Sequence, residues 1–367
     1  MLKALATAMA FLAFVSASTA QEGATSRAVP EPEAVRQVVE KAVDGFIRPG
    51  YRNFHRKAVE LAADMDALCR TPSPTTLAAA RKGFAKAARS WARIEIVRTW
   101  PAIEENRLER ILFYPDRKST GLKQVQALLA NSDESATQAA GLKGKSVAMQ
   151  GFGALEFVLA GTGSENLATR QGDFRCRYGR AVAQNIEEIA SELVVLWDAP
   201  DGVQRHWKQP GPDNPLFRTE QEAMTALLGI LVHGAEMVRD QRIETFYKGA
   251  DRPAFPKQAI FWRSQNTWTM VDGNLEGLRD LVLTSELVEL LPSDQHSIIG
   301  SIDFVLKSLS RVVKTLDPDV EAIVGAPAGR QKLDFVLVNG RDLINRLNDD
   351  YGSAIGLTSG FSFSDGD

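Results

Sequence analysis

The chain has 367 residues, of which 44% are hydrophobic and 24% are charged, and its formal net charge is −3. This composition is ordinary for a soluble globular protein, and the length suffices for one large domain or two smaller ones. The charge balance excludes the strong basic field on which nucleic-acid binding depends, so we expect no nucleic-acid partner.

Residues 1–20 have the pattern of a signal peptide. Lys3 supplies the positive end, residues 4–15 are apolar, and Ser18-Thr19-Ala20 has the form of a small-residue cleavage site. We therefore predict a periplasmic protein whose mature chain begins at Gln21. No later stretch reaches the roughly 18 uninterrupted apolar residues of a spanning helix, so no transmembrane segment is expected in the mature chain.

Apolar residues recur at helical spacing along most of the remaining chain. Residues 21–32 are small, polar and contain proline, which is typical of a flexible leader. No alternating pattern of useful length predicts a β-strand. The predicted helical segments are 33–69 with a break or kink near Pro49, 77–100, 104–113, 122–129, 136–142, 149–159, 175–197, 219–247, 262–283, 285–291, 294–316 and 332–351.

Helices of this length with short connections favour helical bundles. We predict an all-α fold with two packed helical-bundle domains, residues 33–168 and residues 169–367. The stretch 198–215 is rich in proline, glycine and aspartate and is the best candidate for a loop or linker.

The chain contains two cysteines, Cys69 and Cys176. In an oxidising compartment an even pair predicts one disulfide, here between the end of the first long helix and the start of a much later one. The alternative is two buried thiols. Two cysteines so far apart in sequence do not form a zinc motif.

Residues 149–159, which we call the signature stretch, are almost wholly apolar except for one carboxylate, Glu156. A buried Glu costs several kcal/mol unless it is paired, protonated or bound to a metal. Gly151 and Gly153 each weaken a helix by about 1 kcal/mol relative to Ala. Their presence indicates a close backbone approach or an anion at the helix start. The alternative is a tightly packed core helix whose Glu meets a buried Arg.

The signature stretch resembles the motif of the imelysin-like proteins, Gly-x-His-x-x-Glu followed by aromatic and aliphatic residues. The matching positions are Gly151, Phe152, Ala154, Leu155 and Glu156, and Gly153 occupies the position of the motif's His. Other segments that resemble this family are Trp91 to Glu95, Phe113 to Asp116, Cys176 to Tyr178, Asn274 to Leu278 and residues 360–367. These segments are distributed over nearly all of the mature chain.

The resemblance implies an all-helical fold of two bundles, with the signature near the domain interface. It also implies an exported protein associated with bacterial iron uptake, and some members of the family are classed as metallopeptidases. His is the residue of the motif best suited to metal binding or acid–base chemistry. Its replacement by Gly153 therefore weakens any hydrolytic or His-dependent metal mechanism.

A metal ion at Glu156 would need further ligands from elsewhere in the chain, because Gly153 has no side chain. The predicted partner segment runs from Trp91 to Arg98. Glu95 and Glu156 facing one cavity would form a metal site, or a pair that shares a proton. A buried pair between Arg98 and Glu156 is the structural alternative.

One true His-x-x-Glu pattern occurs, at His233 and Glu236. At this spacing both side chains share a helix face, as in carboxylate-bridged metal bundles. The pair is therefore a second candidate metal site, and a histidine satisfied at a helix interface is its alternative.

We expect a periplasmic protein that binds a ligand or partner in iron uptake and does not hydrolyse peptides. Periplasmic or outer-membrane iron-uptake proteins are the partners that this role implies. The first alternative is a metallopeptidase-like enzyme or a direct binder of iron or another divalent metal. Its site would consist of Glu156 with other carboxylates, or of His233 with Glu236. The second is a structural or interaction protein whose ancestral site is lost. No catalytic residue is predicted, because the sequence has no metallopeptidase motif, serine nucleophile elbow or phosphate loop.

Overall fold

The computed structural model describes residues 30–357. The predicted signal peptide, most of the predicted leader and residues 358–367 lie outside the described residues. From Pro32 onward the chain consists of α-helices joined by short 3₁₀ turns and loops, and residues 30–357 contain no β-strand. The prediction of an all-α fold is confirmed.

The helices differ widely in length. In chain order they are α1 (Pro32–Lys41), α2 (Arg48–Arg70), α3 (Pro74–Ile94), α4 (Arg107–Ile111), α5 (Thr120–Asn131), α6 (Ala139–Lys143), α7 (Phe152–Ala160), α8 (Asp173–Asp198), α9 (Val203–Lys208), α10 (Glu220–Glu236), α11 (Thr267–Thr284), α12 (Ser297–Val313), α13 (Val320–Gly325) and α14 (Pro327–Asn345). π-helical turns extend α1, α10 and α14 at Ala42–Ile47, Met237–Ile243 and Arg346–Gly352. Within residues 30–357, no helix combines the length and the apolar character that crossing a membrane requires.

Pro49 is the second residue of α2 and lies where a π-turn changes into an α-helix. Helical residues run without a gap from Pro32 to Arg70, with the π-turn Ala42–Ile47 immediately before α2. Proline removes one hydrogen bond from a helical run, and the change from π-helical to α-helical bonding occurs at this position.

α3 ends at Ile94, earlier than the predicted end at residue 100. The next residues, Glu95, Ile96 and Val97, are all buried along with Ile94. The N–H groups of Val97 and Arg98 donate to the carbonyls of Ile94 and Ile96 and not to the residues four positions back, as an α-helix would require. The chain instead leaves the helix after Glu95 and turns across the core.

The start of α11 also differs from the prediction, which placed it at residue 262. The chain adopts the left-handed conformation at Phe261 and Gln265, with φ of 52° and 57°. A bulky residue in this region of φ is uncommon and marks a turn, so the helix begins only at Thr267.

Close contact between α3 and α11 forms the centre of the molecule. A Cβ atom at Gly277 would lie 2.1 Å from the carbonyl oxygen of Arg93, so only glycine allows the two backbones to approach this closely. Asn274 Nδ2 donates to the carbonyl of Ala92 at 2.7 Å. The buried apolar side chains of residues 30–357 form one connected cluster around this contact. The division into two bundles at residues 168 and 169 stays a prediction.

The predicted disulfide is confirmed. Cys69 at the end of α2 is bonded to Cys176 in the first turn of α8, with a Cα–Cα distance of 5.5 Å. The bond ties together two long helices that pack side by side.

Candidate functional site

The signature stretch forms α7, which is buried on nearly every side. Phe152 lies in an aromatic cluster, with ring centroids 6.3 Å from Phe54, 5.8 Å from Phe84 and 6.3 Å from Phe261. Trp91 packs on Phe54 at 5.0 Å. Two of the predicted site residues, Phe152 and Trp91, therefore lie in the core beneath the site and hold α7 in place.

Gly151 is required by a close backbone approach. A Cβ atom at this position would lie 2.2 Å from the carbonyl oxygen of Ile111 and 2.6 Å from that of Arg110. Gly153 has a different reason to be glycine, because its nearest neighbour would be the carbonyl oxygen of Phe113 at 4.0 Å. The missing side chain at 153 leaves open space in front of α7.

The two glycines give a matched pair of predictions. We expect Gly151→Ala to lower the free energy of unfolding by about 1–3 kcal/mol, since overpacking forces the backbone apart. Gly153→Ala should instead raise it by up to about 1 kcal/mol, because alanine favours the helix and meets no obstacle. Urea titration of the two variants beside the unmodified protein measures both effects. Equal losses of stability in both variants would contradict the different roles assigned to the two positions.

The open space in front of Gly153 belongs to a cavity of about 290 Å³, which we call the signature cavity. Three segments form it: the start of α7, residues 112–125, and residues 257–263 before α11. Its lining includes the charged side chains Asp116, Glu156, Lys257 and Arg263 and the rings of Tyr114, Phe157 and Trp262. Gly153 and Glu156 both line this cavity.

Glu156 is buried, and two neighbours contact its carboxylate. The backbone N–H of Ser264 donates to Oε1 at 3.0 Å, and Arg263 Nη1 lies 3.5 Å from Oε2. Burial raises the pKa of the Glu156 carboxyl above its usual value, and the positive charge of Arg263 opposes this shift without cancelling it. The arginine beside Glu156 is Arg263, which is half-buried, and not Arg98.

The raised pKa makes the stability of this site depend on pH. A group whose pKa is higher in the folded state contributes stability that is complete below its unfolded pKa and is lost as pH rises through the folded value. Glu156→Gln keeps the acceptor for Ser264 and has no proton to lose. We therefore expect the variant to melt higher than the unmodified protein at pH 7, by roughly 2 °C for each 1 kcal/mol gained.

Below about pH 4, where glutamate is protonated even in the unfolded chain, this difference in melting temperature should vanish. Thermal unfolding followed by circular dichroism from pH 4 to pH 8 measures it. A variant that is less stable than the unmodified protein at pH 7 would show that ionised Glu156 is stabilised by Arg263 more than burial destabilises it.

Glu95 lies outside the signature cavity and has a partner of its own. Its Oε1 accepts hydrogen bonds from Arg242 Nη2 at 2.8 Å and from Asn274 Nδ2 at 2.6 Å. The Arg242 guanidinium also stacks on Tyr114, with Cζ 5.1 Å from the ring centroid. Since Tyr114 lines the cavity, the buried cluster of Glu95, Arg242 and Asn274 supports one cavity wall from behind. Arg98 is exposed and reaches neither carboxylate.

His233 and Glu236 contact each other on α10, with Nδ1 and Oε2 3.0 Å apart. They line no part of the signature cavity. Across residues 30–357, no three His, Cys, Asp or Glu side chains come together in a way that could hold a metal ion. At Glu156 the neighbouring charge is the cation Arg263, which disfavours a second cation there. The metal-ligand assignments to Glu156, Glu95, His233 and Glu236 stay predictions.

Sequence reasoning missed Arg263, which lies 107 residues after Glu156 in the chain. The predicted helix over 262–283 placed it inside a regular element with no special role. The local signal was present in Trp262-Arg263, because an arginine beside an aromatic residue can be held by stacking. Only the turn between Phe261 and Gln265 brings the pair to the cavity.

Comparisons with known proteins identify the family and a shared fold. A family model described as Imelysin matches residues 47–347. An imelysin-like protein from Psychrobacter arcticum has a similar solved structure, with a TM-score of 0.74 and 16% identity, over 90% of this chain and 98% of that one. A protein named "putative iron-regulated protein A precursor" from Parabacteroides distasonis has a TM-score of 0.72 and 14% identity, over 90% of this chain and 96% of that one. No curated protein sequence matches significantly. Because the family model covers most of its length, this chain belongs to the imelysin family.

Proposed function

We propose that this protein is a periplasmic member of the imelysin family that binds a small ligand in the signature cavity and serves iron uptake without hydrolysing peptides. The observation that carries the proposal is the open position at Gly153, which leaves the cavity in front of α7 free of any side chain from this residue. Ligand sites are typically concave, with apolar walls and a few placed polar groups, and this cavity has that character.

The proposal of a non-hydrolytic role rests on the family resemblance and on the partners of Glu156. By that resemblance Gly153 stands where the motif has an imidazole for general acid–base chemistry. The one buried carboxylate of the cavity, Glu156, already accepts a backbone hydrogen bond and faces Arg263. This arrangement suits the recognition of a ligand better than the activation of water.

The connection to iron rests on the family and on the name of the relative from Parabacteroides distasonis, which calls that protein iron-regulated. Export rests on the predicted signal peptide at residues 1–20, and the word precursor in the same relative's name is consistent with it. The partners that this role requires are periplasmic or outer-membrane iron-uptake proteins.

The test is growth of a strain that lacks the protein under iron limitation. We expect a growth defect that the unmodified protein rescues and Gly153→Leu does not, because leucine would fill the cavity. Gly300→Leu is the matched control, since Gly300 also lies on a helix and a Cβ atom there meets nothing within 4 Å. Normal growth of the deletion strain would contradict the iron role, and full rescue by Gly153→Leu would contradict the role of the cavity.

A further inference from the structure

Arg263 is held in the signature cavity by stacking and not by hydrogen bonds. Its Cζ lies 4.5 Å from the ring centroid of Trp262 and 5.6 Å from that of Phe157. Nη1 is 3.5 Å from Glu156, and the guanidinium donates no hydrogen bond to any acceptor within residues 30–357. The side chain is only 21% exposed, so most of its surface is withdrawn from bulk water.

Arg175, at the opposite end of α7, shows what a purely structural arginine looks like in this fold. Its guanidinium donates to the carbonyl oxygens of Phe157, Val158 and Thr162, and so closes the end of the helix. Both arginines stack on Phe157. The N–H donors of Arg175 are therefore bonded to backbone carbonyls of the protein. Arg263 lines the signature cavity, and its N–H donors have no such acceptor within residues 30–357.

A guanidinium has five N–H donors in a planar fork that matches the two oxygens of a carboxylate. Contact with two rings restricts the guanidinium in advance, so less side-chain entropy is lost when an anion binds. The start of α7 adds to the attraction. No side chain caps this helix, and Gly153 and Ala154 of its first turn line the cavity. Their N–H groups have no acceptor within the helix and favour negative charge.

The other charges of the cavity select the kind of anion. Both carboxylate oxygens of Asp116 accept hydrogen bonds from backbone N–H groups of α5, one from Thr120 at 2.8 Å and the other from Leu122 at 3.1 Å. With Glu156 also present, two acidic side chains balance Lys257 and Arg263. A phosphate with two negative charges would be repelled by both acidic side chains. A single carboxylate carries one negative charge, which one guanidinium can balance. The rings of Phe157 and Trp262 and the apolar side chains Leu122 and Val125 offer a surface for carbon atoms.

We infer that the signature cavity takes a small organic acid, whose carboxylate is bound by the Arg263 fork and whose carbon skeleton lies against Phe157 and Trp262. This inference rests on the proposed function, since it names the chemical class of the ligand for the same cavity. It assigns to Arg263 the role of the residue that determines ligand specificity.

The test is calorimetric titration of the mature protein, from Gln21 onward, with the monocarboxylates butyrate and benzoate and with inorganic phosphate at pH 7. We expect butyrate or benzoate to bind and phosphate not to bind. Arg263→Lys keeps the charge but loses the fork, and should weaken binding at least about tenfold. Gly153→Leu should abolish binding by filling the cavity. Arg341→Ala, at an exposed position on α14, is the control and should bind as the unmodified protein does.

Several results would overturn the inference. They are a response to phosphate alone, no binding of either organic acid, and equal binding by Arg263→Lys. Thermal unfolding of each variant checks that a loss of binding does not come from a loss of folding. If neither acid binds, yet Gly153→Leu still fails to rescue growth under iron limitation, the proposed function stands and only the ligand class is wrong.

Discussion

Removing either member of the buried pair of Glu95 and Arg242 is expected to lower the free energy of unfolding by about 3–5 kcal/mol. The two side chains are 1% and 2% exposed, and Nη2 lies 2.8 Å from Oε1. Either single substitution, Glu95→Leu or Arg242→Leu, leaves the other charge buried without a counter-charge. Water cannot solvate that charge, so the folded state carries the full cost of desolvation.

The double variant Glu95→Leu with Arg242→Leu distinguishes a lost charge pair from lost packing. It leaves no charge unpaired, so we expect it to be more stable than either single variant. Asp201→Asn is the surface control. Asp201 is 91% exposed and lies 3.5 Å from Arg205, so its loss should cost no more than about 1 kcal/mol. Urea titration of the four proteins of the cycle and of Asp201→Asn measures these effects, and single variants that cost less than the surface control would contradict the prediction.

The second large effect is expected at the disulfide. It closes a sequence separation of 107 residues, and in the chain-entropy model a loop of about 100 residues is worth up to about 4.7 kcal/mol. We expect Cys69→Ser combined with Cys176→Ser to lower the free energy of unfolding by about 2–5 kcal/mol. The bond restricts the unfolded chain, so the change should appear without a change in the ligand affinity of the folded protein.

Guanidinium chloride titration with and without a reductant measures this effect. Under reducing conditions the unmodified protein should lose most of its advantage over the double variant, because both then lack the cross-link. A double variant as stable as the oxidised, unmodified protein would show that the disulfide adds nothing to the packing of α2 on α8.

The helices could be predicted from the sequence because hydrophobic periodicity is local. α8 and α2 were recognised from apolar residues at helical spacing, and the disulfide was predicted from the number of cysteines and the expected compartment. The importance of Glu156 could be predicted as well, since a single carboxylate in an apolar stretch must find a partner.

The partners of the buried carboxylates could not be predicted from the sequence. Arg242 lies 147 residues from Glu95, and Arg263 lies 107 residues from Glu156. Such pairs depend on how the helices pack and on where they end, and both α3 and α11 have ends that local patterns placed wrongly. Ile96 and Val97 extend the apolar pattern of α3, although the chain has already left the helix.

The π-turn at Met237–Ile243 has a consequence for how this protein tolerates changes in length. A π-turn bonds residue i to i+5, so it holds one residue more than the same turn of an α-helix. Deleting one residue in this turn would leave a turn of ordinary α-helical length, and the residues after it would keep their directions. A deletion inside α10, which has no extra residue, would instead rotate the residues after it by about 100° relative to those before it. Arg242, which now faces Glu95, would then point elsewhere, and the cavity wall at Tyr114 would lose its support. The chain should therefore tolerate the loss of a residue at the π-turn better than the loss of a residue in the α-helix before it.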